Sequence, residues 1–277
     1  MSTSVRQDDV IAFMRNHQNY AHWCHNPDEI ETNQSHVFLM GDYAYKLFKA
    51  ISRYRDNTTP EARLENAELE LAANRELAGD LYIGLCAIKD ADTSQTVDYV
   101  VKMHRFDTEG LLYERLFNGN LTQHEVYALG AHVAHFHQNQ APESAPEQGN
   151  YNAFQDDFSS LIHSYTGKVP CLYATAMLQD LHTPTMAAIE NTRQSLEGRN
   201  HSWRLLHGDL DFGNIAVFRG QLMPFDAQVL FEGKRSNDTA KDVAYMLAPL
   251  YMHGRPDLAE GLLAGYQSVA HDQTLEA

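Results

Sequence analysis

Between Leu205 and Asp226 the chain places His207, Asp209 and Asn214 in a His-x-Asp-x4-Asn pattern. An apolar run, a turn at Arg219-Gly220 and a second apolar run follow, closing on Phe225-Asp226. Phosphoryl transfer to a hydroxyl needs parts of this kind. One carboxylate accepts the proton of the attacking hydroxyl. An amide oxygen and a second carboxylate hold magnesium against the phosphates. A hairpin with Asn214 at its start and Asp226 at its end brings those two ligands together. The competing interpretation is a polar loop whose side chains only cap local backbone.

Two charged residues in the first third of the chain also stand out. In a strand, alternate residues share a face, so Lys46 lies in a row with Ala44 and Phe48. A cation in an apolar row needs a partner, because an unpaired buried charge is costly; the alternative is that Lys46 snorkels to water. Glu70 has Asn66, Ala67, Ala73 and Asn74 as its helical neighbours, a small face able to approach a sheet. His132, His135 and His137 invite a metal interpretation, but position i+5 leaves the face that i and i+3 share. No carboxylate or cysteine completes a set, so they are expected on the helix surface or in the core. Cys24, Cys86 and Cys171 form no CxxC pair and are expected to be inert thiols.

The His-Gly-Asp-Leu-Asp-Phe-Gly-Asn-Ile run at 207–215 and the later Phe225-Asp226 resemble the catalytic loop and metal strand of the aminoglycoside phosphotransferase-like kinases. The likeness is closest to a bacterial branch that also carries Ser-His-Val-Phe-Leu-x-Gly-Asp-x-Ala-Tyr-Lys, Glu-Leu-x-x-Asn-Arg and Arg-Pro-Asp-Leu-Ala. These occur here at 35–46, 70–75 and 255–259. The resemblance implies an α+β, protein-kinase-like fold of two lobes, using ATP and Mg2+ to phosphorylate a hydroxyl of a small molecule. The acceptor would be aminoglycoside-like, a sugar, an amino alcohol or a nucleoside. It also implies roles. Asp209 would be the catalytic base, with His207 bracing its loop. Asn214 and Asp226 would be the magnesium ligands. Lys46, paired with Glu70, would touch the nucleotide phosphates. No GxGxxG or GxxxxGK[ST] is present, and Asn33-Gln34-Ser35 is the expected substitute, offering backbone amides and the Ser35 hydroxyl. Backbone groups of Lys102, Met103 and His104 would read the adenine edge. Asp211-Phe212-Gly213 imitates a protein-kinase metal motif but lies inside the catalytic loop, so Asp226 is taken as the metal carboxylate. Asp211 and Ala227-Gln228-Val229-Leu230 differ from the residues many relatives carry. They motivate a second interpretation, a nucleotide-binding pseudokinase or regulatory module without transfer.

The elements that must position these residues are legible in outline. His36–Met40 and Tyr43–Lys49 flank Gly41-Asp42, a hairpin signal. Thr59-Pro60-Glu61 opens a helix expected over about 60–78, with a capping side chain, a proline at the first position and an early acid. Residues 81–88 and 97–103 form a second hairpin. The first 103 residues thus suggest a five-stranded antiparallel sheet with one inserted helix, its first strand before Ser35. Residues 104–277 suggest a mostly helical lobe, with helices near 121–137, 151–165, 171–198, 240–250 and 256–269 and a strand-rich island at 203–231.

The 277 residues carry 21 Lys and Arg against 37 Asp and Glu, a net charge of −16. That balance repels nucleic acid and anionic lipid, so neither is expected as a partner. The opening MSTSVRQDDVIAF has no basic stretch leading into an apolar core. No run approaches the ~18 apolar residues of a spanning helix, and the expected location is the cytoplasm.

Overall fold

The computed structural model describes residues 7–22, 27–53, 55–90, 92–166, 172–228 and 236–276. It has two lobes. The first is an antiparallel sheet of five strands: β1 (Asp28–Glu31), β2 (Ser35–Met40), β3 (Tyr43–Phe48), β4 (Tyr82–Lys89) and β5 (Thr96–His104), in the order β1-β2-β3-β5-β4. The expected first strand is β1, which runs from opposite Leu39 at Asp28 to opposite His36 at Glu31. Gly41, at φ 57°, makes the β2–β3 turn.

Alternation along the strands assigns their two faces. Phe38, Met40, Tyr45, Leu47, Ile88 and Val100 pack outward against Val10 and Met14 of helix α1 (Gln7–Met14). Phe48, Val101, Leu81 and Tyr82 pack inward against Ala67, Leu71 and Ala78 of helix α2 (Pro60–Ala78). The start of α2 follows its sequence signals, with Thr59 Oγ1 accepting the Ala62 N–H at 3.2 Å. The helix face reading Arg63, Asn66, Glu70 and Asn74 is buried. Arg63 pairs there with the buried Asp98 of β5 at 2.7 Å, which anchors the front of α2 to the sheet.

The second lobe is helical: α3 (Leu112–Phe117), α4 (Gln123–Asn139), α5 (Gly149–Thr166), α6 (Leu172–Asn191), α7 (Arg193–Gly198), α8 (Ala240–Met252) and α9 (Pro256–Ala270). Two short antiparallel ladders interrupt it, β6 (Trp203–Leu205) with β9 (Ser236–Asp238) and β7 (Ile215–Phe218) with β8 (Gln221–Pro224). The single helix expected over 171–198 is divided into α6 and α7. Helix α3 is too short to show periodicity, and β9 is a polar Ser-Asn-Asp that pairs only because β6 lies beside it. Neither is announced by the sequence. Cys86 is free and half-buried, whereas Cys24, Cys171, Val229 and Leu230 lie outside the described residues. No helix among the described residues is long and apolar enough to cross a membrane.

Leu129, Val133, Leu210, Phe212, Ile215, Met246, Leu262 and Tyr266 form the core of this lobe, so the loop at 207–214 is rooted in it by Leu210 and Phe212. Helices α4 and α9 cross at backbone contact. A Cβ on Gly265 would overlap the Tyr127 carbonyl, and one on Gly130 would overlap the Leu262 carbonyl. Backbone cannot yield as a side chain does. Gly265→Ala is therefore expected to lower stability by about 1–3 kcal/mol or more, read as a fall in the urea midpoint at unchanged m-value.

Candidate active site

Strand β6 delivers the chain to His207, Gly208 and Asp209. Gly208 sits at φ +83°, and a Cβ there would press on the Gln228 side chain at 3.2 Å, so glycine is required. The His207 ring is fully buried. Its Nδ1 accepts the Asp209 N–H at 3.2 Å and its Nε2 donates to the Phe225 carbonyl at 3.0 Å. The ring thus ties the Asp209 loop to the end of β8. The buried Asp242 of α8 accepts the next two amides, His207 N–H at 2.8 Å and Gly208 N–H at 3.0 Å, and lies 3.1 Å from His137 Nε2.

Asn214 donates through Nδ2 to the Asp209 carbonyl at 2.9 Å and to Asp209 Oδ2 at 3.1 Å. Its amide nitrogen is committed to Asp209, and its oxygen is the remaining end. The Phe225 N–H donates to the Asn214 carbonyl at 2.8 Å, so the β7–β8 hairpin brings Asn214 and Asp226 to one end. Asp211, the imitation metal residue, instead accepts the Gly213 N–H at 2.8 Å as a local cap.

Lys46 bridges the lobes. Its Nζ lies 2.9 Å from Glu70 of α2 and 2.7 Å from Asp226. Glu70 is buried, while the Asp226 side chain is 49% exposed to the cleft. Asp226 has φ +61°, a left-handed conformation that costs a non-glycine residue about 1–3 kcal/mol. Two neighbours hold it there. Tyr82 Oη accepts the Asp226 N–H at 3.1 Å, and Asn74 Oδ1 accepts the Ala227 N–H at 2.9 Å.

Burial works against charge throughout this cluster, and pairing decides each outcome. Burial opposes the Lys46 ammonium, but Asp226 and Glu70 outweigh it and raise its pKa. Burial raises the Glu70 carboxyl, and Lys46 offsets only part of that. Desolvation in the cleft works against the half-exposed Asp226 carboxylate too, but Lys46 holds it below the usual range. Among the described residues no cation pairs with Asp209. Desolvation and then the Asp226 charge push its carboxyl up.

These residues border a cleft of about 490 Å³ between the lobes, walled on its apolar side by Val37, Leu39, Ala44, Met103, Leu111 and Phe225. Asp209, Asn214, Asp226, Lys46, Ser35, Met103 and His104 all line it, and Glu70 stands behind Lys46. Lys102 does not line it. Alternation turns its side chain to the opposite sheet face, where Nζ sits 3.9 Å from the Tyr43 ring centre, and its backbone is flanked by both β3 and β4. The 33–35 turn lines the cleft, but two of its amides are already engaged. The Gln34 and Ser35 amides donate to Thr32 Oγ1 at 3.3 and 3.0 Å, so they hold the turn closed rather than face a ligand. The Ser35 hydroxyl is fully buried and has no partner among the described residues, on the strand face of Val37 and Leu39 that lines the cleft.

The histidines of α4 have separate tasks. His132 Nε2 meets the Leu77 carbonyl at 2.7 Å, His137 meets Tyr266 and Asp242, and His135 is exposed. Sequence reasoning missed Asp242, Asn74, Tyr82 and Thr32. An acid in the first turn of α8 is ordinary for any helix. Asn74 alone carried a signal, as part of Glu-Leu-x-x-Asn-Arg.

No family model matches the chain. Uncharacterized proteins of Mycobacterium tuberculosis and Mycobacterium bovis are 25% identical over 247 residues, 86% of this chain and 49% of theirs. The chain thus spans about half the length of the curated relatives it matches. Among solved structures, a choline/ethanolamine kinase family protein from Mesorhizobium loti superposes with a TM-score of 0.54 at 14% identity, covering 95% of this chain and 76% of that one. An ADP-bound aminoglycoside phosphotransferase, APH(2'')-Ib, gives 0.51 at 18% identity over 96% and 85%. With a five-stranded antiparallel lobe, a helical lobe and the cleft between them, the chain has the two-lobed, kinase-like fold shared by the aminoglycoside phosphotransferases and the choline/ethanolamine kinase family proteins.

Proposed function

We propose that the chain binds ATP with magnesium in this cleft and moves the γ-phosphoryl group to a hydroxyl of a small molecule. The observation that carries it is the convergence on one cleft of Lys46, held by Glu70 and Asp226, with Asp209, held by Asn214. The solved proteins of the same fold, titled as an ADP-bound aminoglycoside phosphotransferase and a choline/ethanolamine kinase family protein, support the class of reaction.

The residues fit both ligands. An apolar slot ending at Met103 and His104 suits a purine, and the orphaned Ser35 hydroxyl is a polar group that a phosphate oxygen would satisfy. The Asp226 carboxylate and the Asn214 amide oxygen are hard oxygen donors of the kind magnesium takes. Bound there, the ion would neutralise charge on the phosphates.

The chain's own residues do the rest. Lys46 supplies a fixed positive charge to the phosphates, because Glu70 and Asp226 keep it protonated. Asp209 accepts the proton of the acceptor hydroxyl, and its raised pKa makes it a better base than an ordinary aspartate. Asn214 fixes the Asp209 carboxylate, and His207 and Asp242 fix the loop that carries it. Catalysis on this arrangement is positioning and charge stabilisation. The acceptor is a hydroxyl-bearing small molecule of the aminoglycoside, sugar, amino alcohol or nucleoside classes, and the acidic surface disfavours nucleic acid.

Calorimetric titration of ATP tests the proposal. Binding that requires magnesium in the wild type and is lost in Asp226→Ala is the expected result. Absence of binding in both proteins overturns it and leaves the cleft without a nucleotide role.

A further inference from the structure

Beyond the residues that would touch the ligands, one buried amide links the helix of the first lobe to the metal corner of the second. We infer that Asn74 is a positioning residue that makes the magnesium-holding geometry of Asp226 depend on the placement of α2. The inference rests on the nucleotide-and-magnesium proposal for the same cleft.

Asn74 is 1% exposed and lies one helical turn beyond Glu70, on the same face of α2. Its Nδ2 donates to the Glu70 carbonyl at 2.8 Å. That bond uses the donor end of the amide and turns Oδ1 toward the other lobe. There Oδ1 accepts the Ala227 N–H at 2.9 Å, across 153 positions of sequence. Ala227 is buried, so without Asn74 this N–H would lose its protein partner.

Asp226 is thereby held from both sides. Its carboxylate is drawn to Lys46, which α2 orients through Glu70. Its own N–H is taken by Tyr82, and Tyr82 also bonds Glu70. The peptide that follows it is taken by Asn74. A residue at φ +61° is not kept there by its own preference. Fixing the two successive amides of Asp226 and Ala227 fixes the direction in which the carboxylate leaves the backbone. Glu70 and Asn74 move together as parts of one helix. A displacement of α2 therefore shifts Lys46 and the Asp226 corner together, whereas loss of the Asn74 side chain alone frees only the Asp226 corner.

Asn74→Leu keeps the branched shape of the side chain and removes both hydrogen-bonding ends; Asn74→Ser is polar but too short to reach Ala227; Asn74→Asp keeps an acceptor in place. Titrating ADP with and without magnesium separates the metal-dependent part of binding from the rest. Loss of a group that orients a metal ligand costs about 10- to 100-fold in metal affinity. That loss is expected in the magnesium-dependent part for Asn74→Leu and Asn74→Ser, with metal-free ADP affinity unchanged and partial recovery in Asn74→Asp. In the ligand-free protein, hydrogen exchange should show the Ala227 amide protected in the wild type and fast in Asn74→Leu and Asn74→Ser, while Val101 in the centre of the sheet stays protected. Equal weakening with and without magnesium, no weakening at all, or an Ala227 amide as slow as in the wild type would each overturn the inference. A wild type that binds no nucleotide would instead sink the phosphotransferase proposal, and the exchange measurement would still decide whether Asn74 holds the corner.

Discussion

Asp209→Asn is expected to lower kcat about 10²- to 10⁴-fold, the range that a positioned proton acceptor contributes, and to leave the affinity for magnesium and ATP unchanged. The substitution is nearly isosteric, so the Asn214 contact at 3.1 Å and the loop bonds through His207 keep a polar partner. What is lost is the negative charge that, in the proposed reaction, takes up the hydroxyl proton. The pH profile identifies the residue independently. Desolvation first, and then the facing charge of Asp226, raise the Asp209 carboxyl above the ordinary 3.8. The basic form of the wild type is therefore depleted as pH falls through that raised value, and kcat/KM falls with it. The acid limb should lie above the range of a free aspartate and should vanish from the residual activity of Asp209→Asn. An unchanged kcat, or a variant that keeps the same acid limb, would remove Asp209 from its assigned role.

Asp242→Asn should cost the fold about 3–5 kcal/mol, because a buried pair broken from one side leaves its partners uncompensated. Asp242 is fully buried and its two oxygens serve three donors: the His207 and Gly208 amides and the His137 ring. An amide in its place turns one accepting end into a donor that faces another donor. Burial works against this carboxylate, but His137, then His207 and the Gly208 amide, hold its pKa below the usual 3.8. A carboxyl depressed on folding stabilises the fold above its unfolded-state value and loses that contribution as pH falls through its folded-state value. The stability difference between wild type and Asp242→Asn should accordingly be full at neutral pH. It should shrink on acidification below the unfolded-state value of about 3.9. Denaturant unfolding of both proteins at several pH values measures it. A difference that is small at neutral pH, or that grows in acid, would show that Asp242 does not hold the 207–214 loop as described.

Features with local causes are legible in the chain. Gly41-Asp42 between two β-rich runs makes the β2–β3 hairpin, and Thr59-Pro60-Glu61 starts α2 where expected. The spacing of Asn214 and Asp226 around Arg219-Gly220 suffices to bring them to one end of a hairpin. Strand alternation put Lys46 on an apolar face in need of a partner, and small neighbours let Glu70 approach it. Which polar groups complete the cluster depends on contacts between residues far apart in the chain. Asn74 and Ala227 are 153 positions apart, Tyr82 and Asp226 are 144, and Asp242 meets His137 across 105. Nothing in the local pattern of an asparagine on a helix, or of an acid in the first turn of another, tells which distant amide it will face. The same limit applies within the sheet. Alternation sets Lys102 and Met103 on opposite faces, but it takes the pairing of Lys102 with Tyr45 to show that its face is the one turned away from the cleft. It also takes the Thr32 hydroxyl, folded back on Gln34 and Ser35, to consume amides that the composition of the turn had offered to phosphate. A backbone N–H in a polar turn is committed by whichever acceptor the fold brings nearest, and that acceptor is set by geometry rather than by residue type.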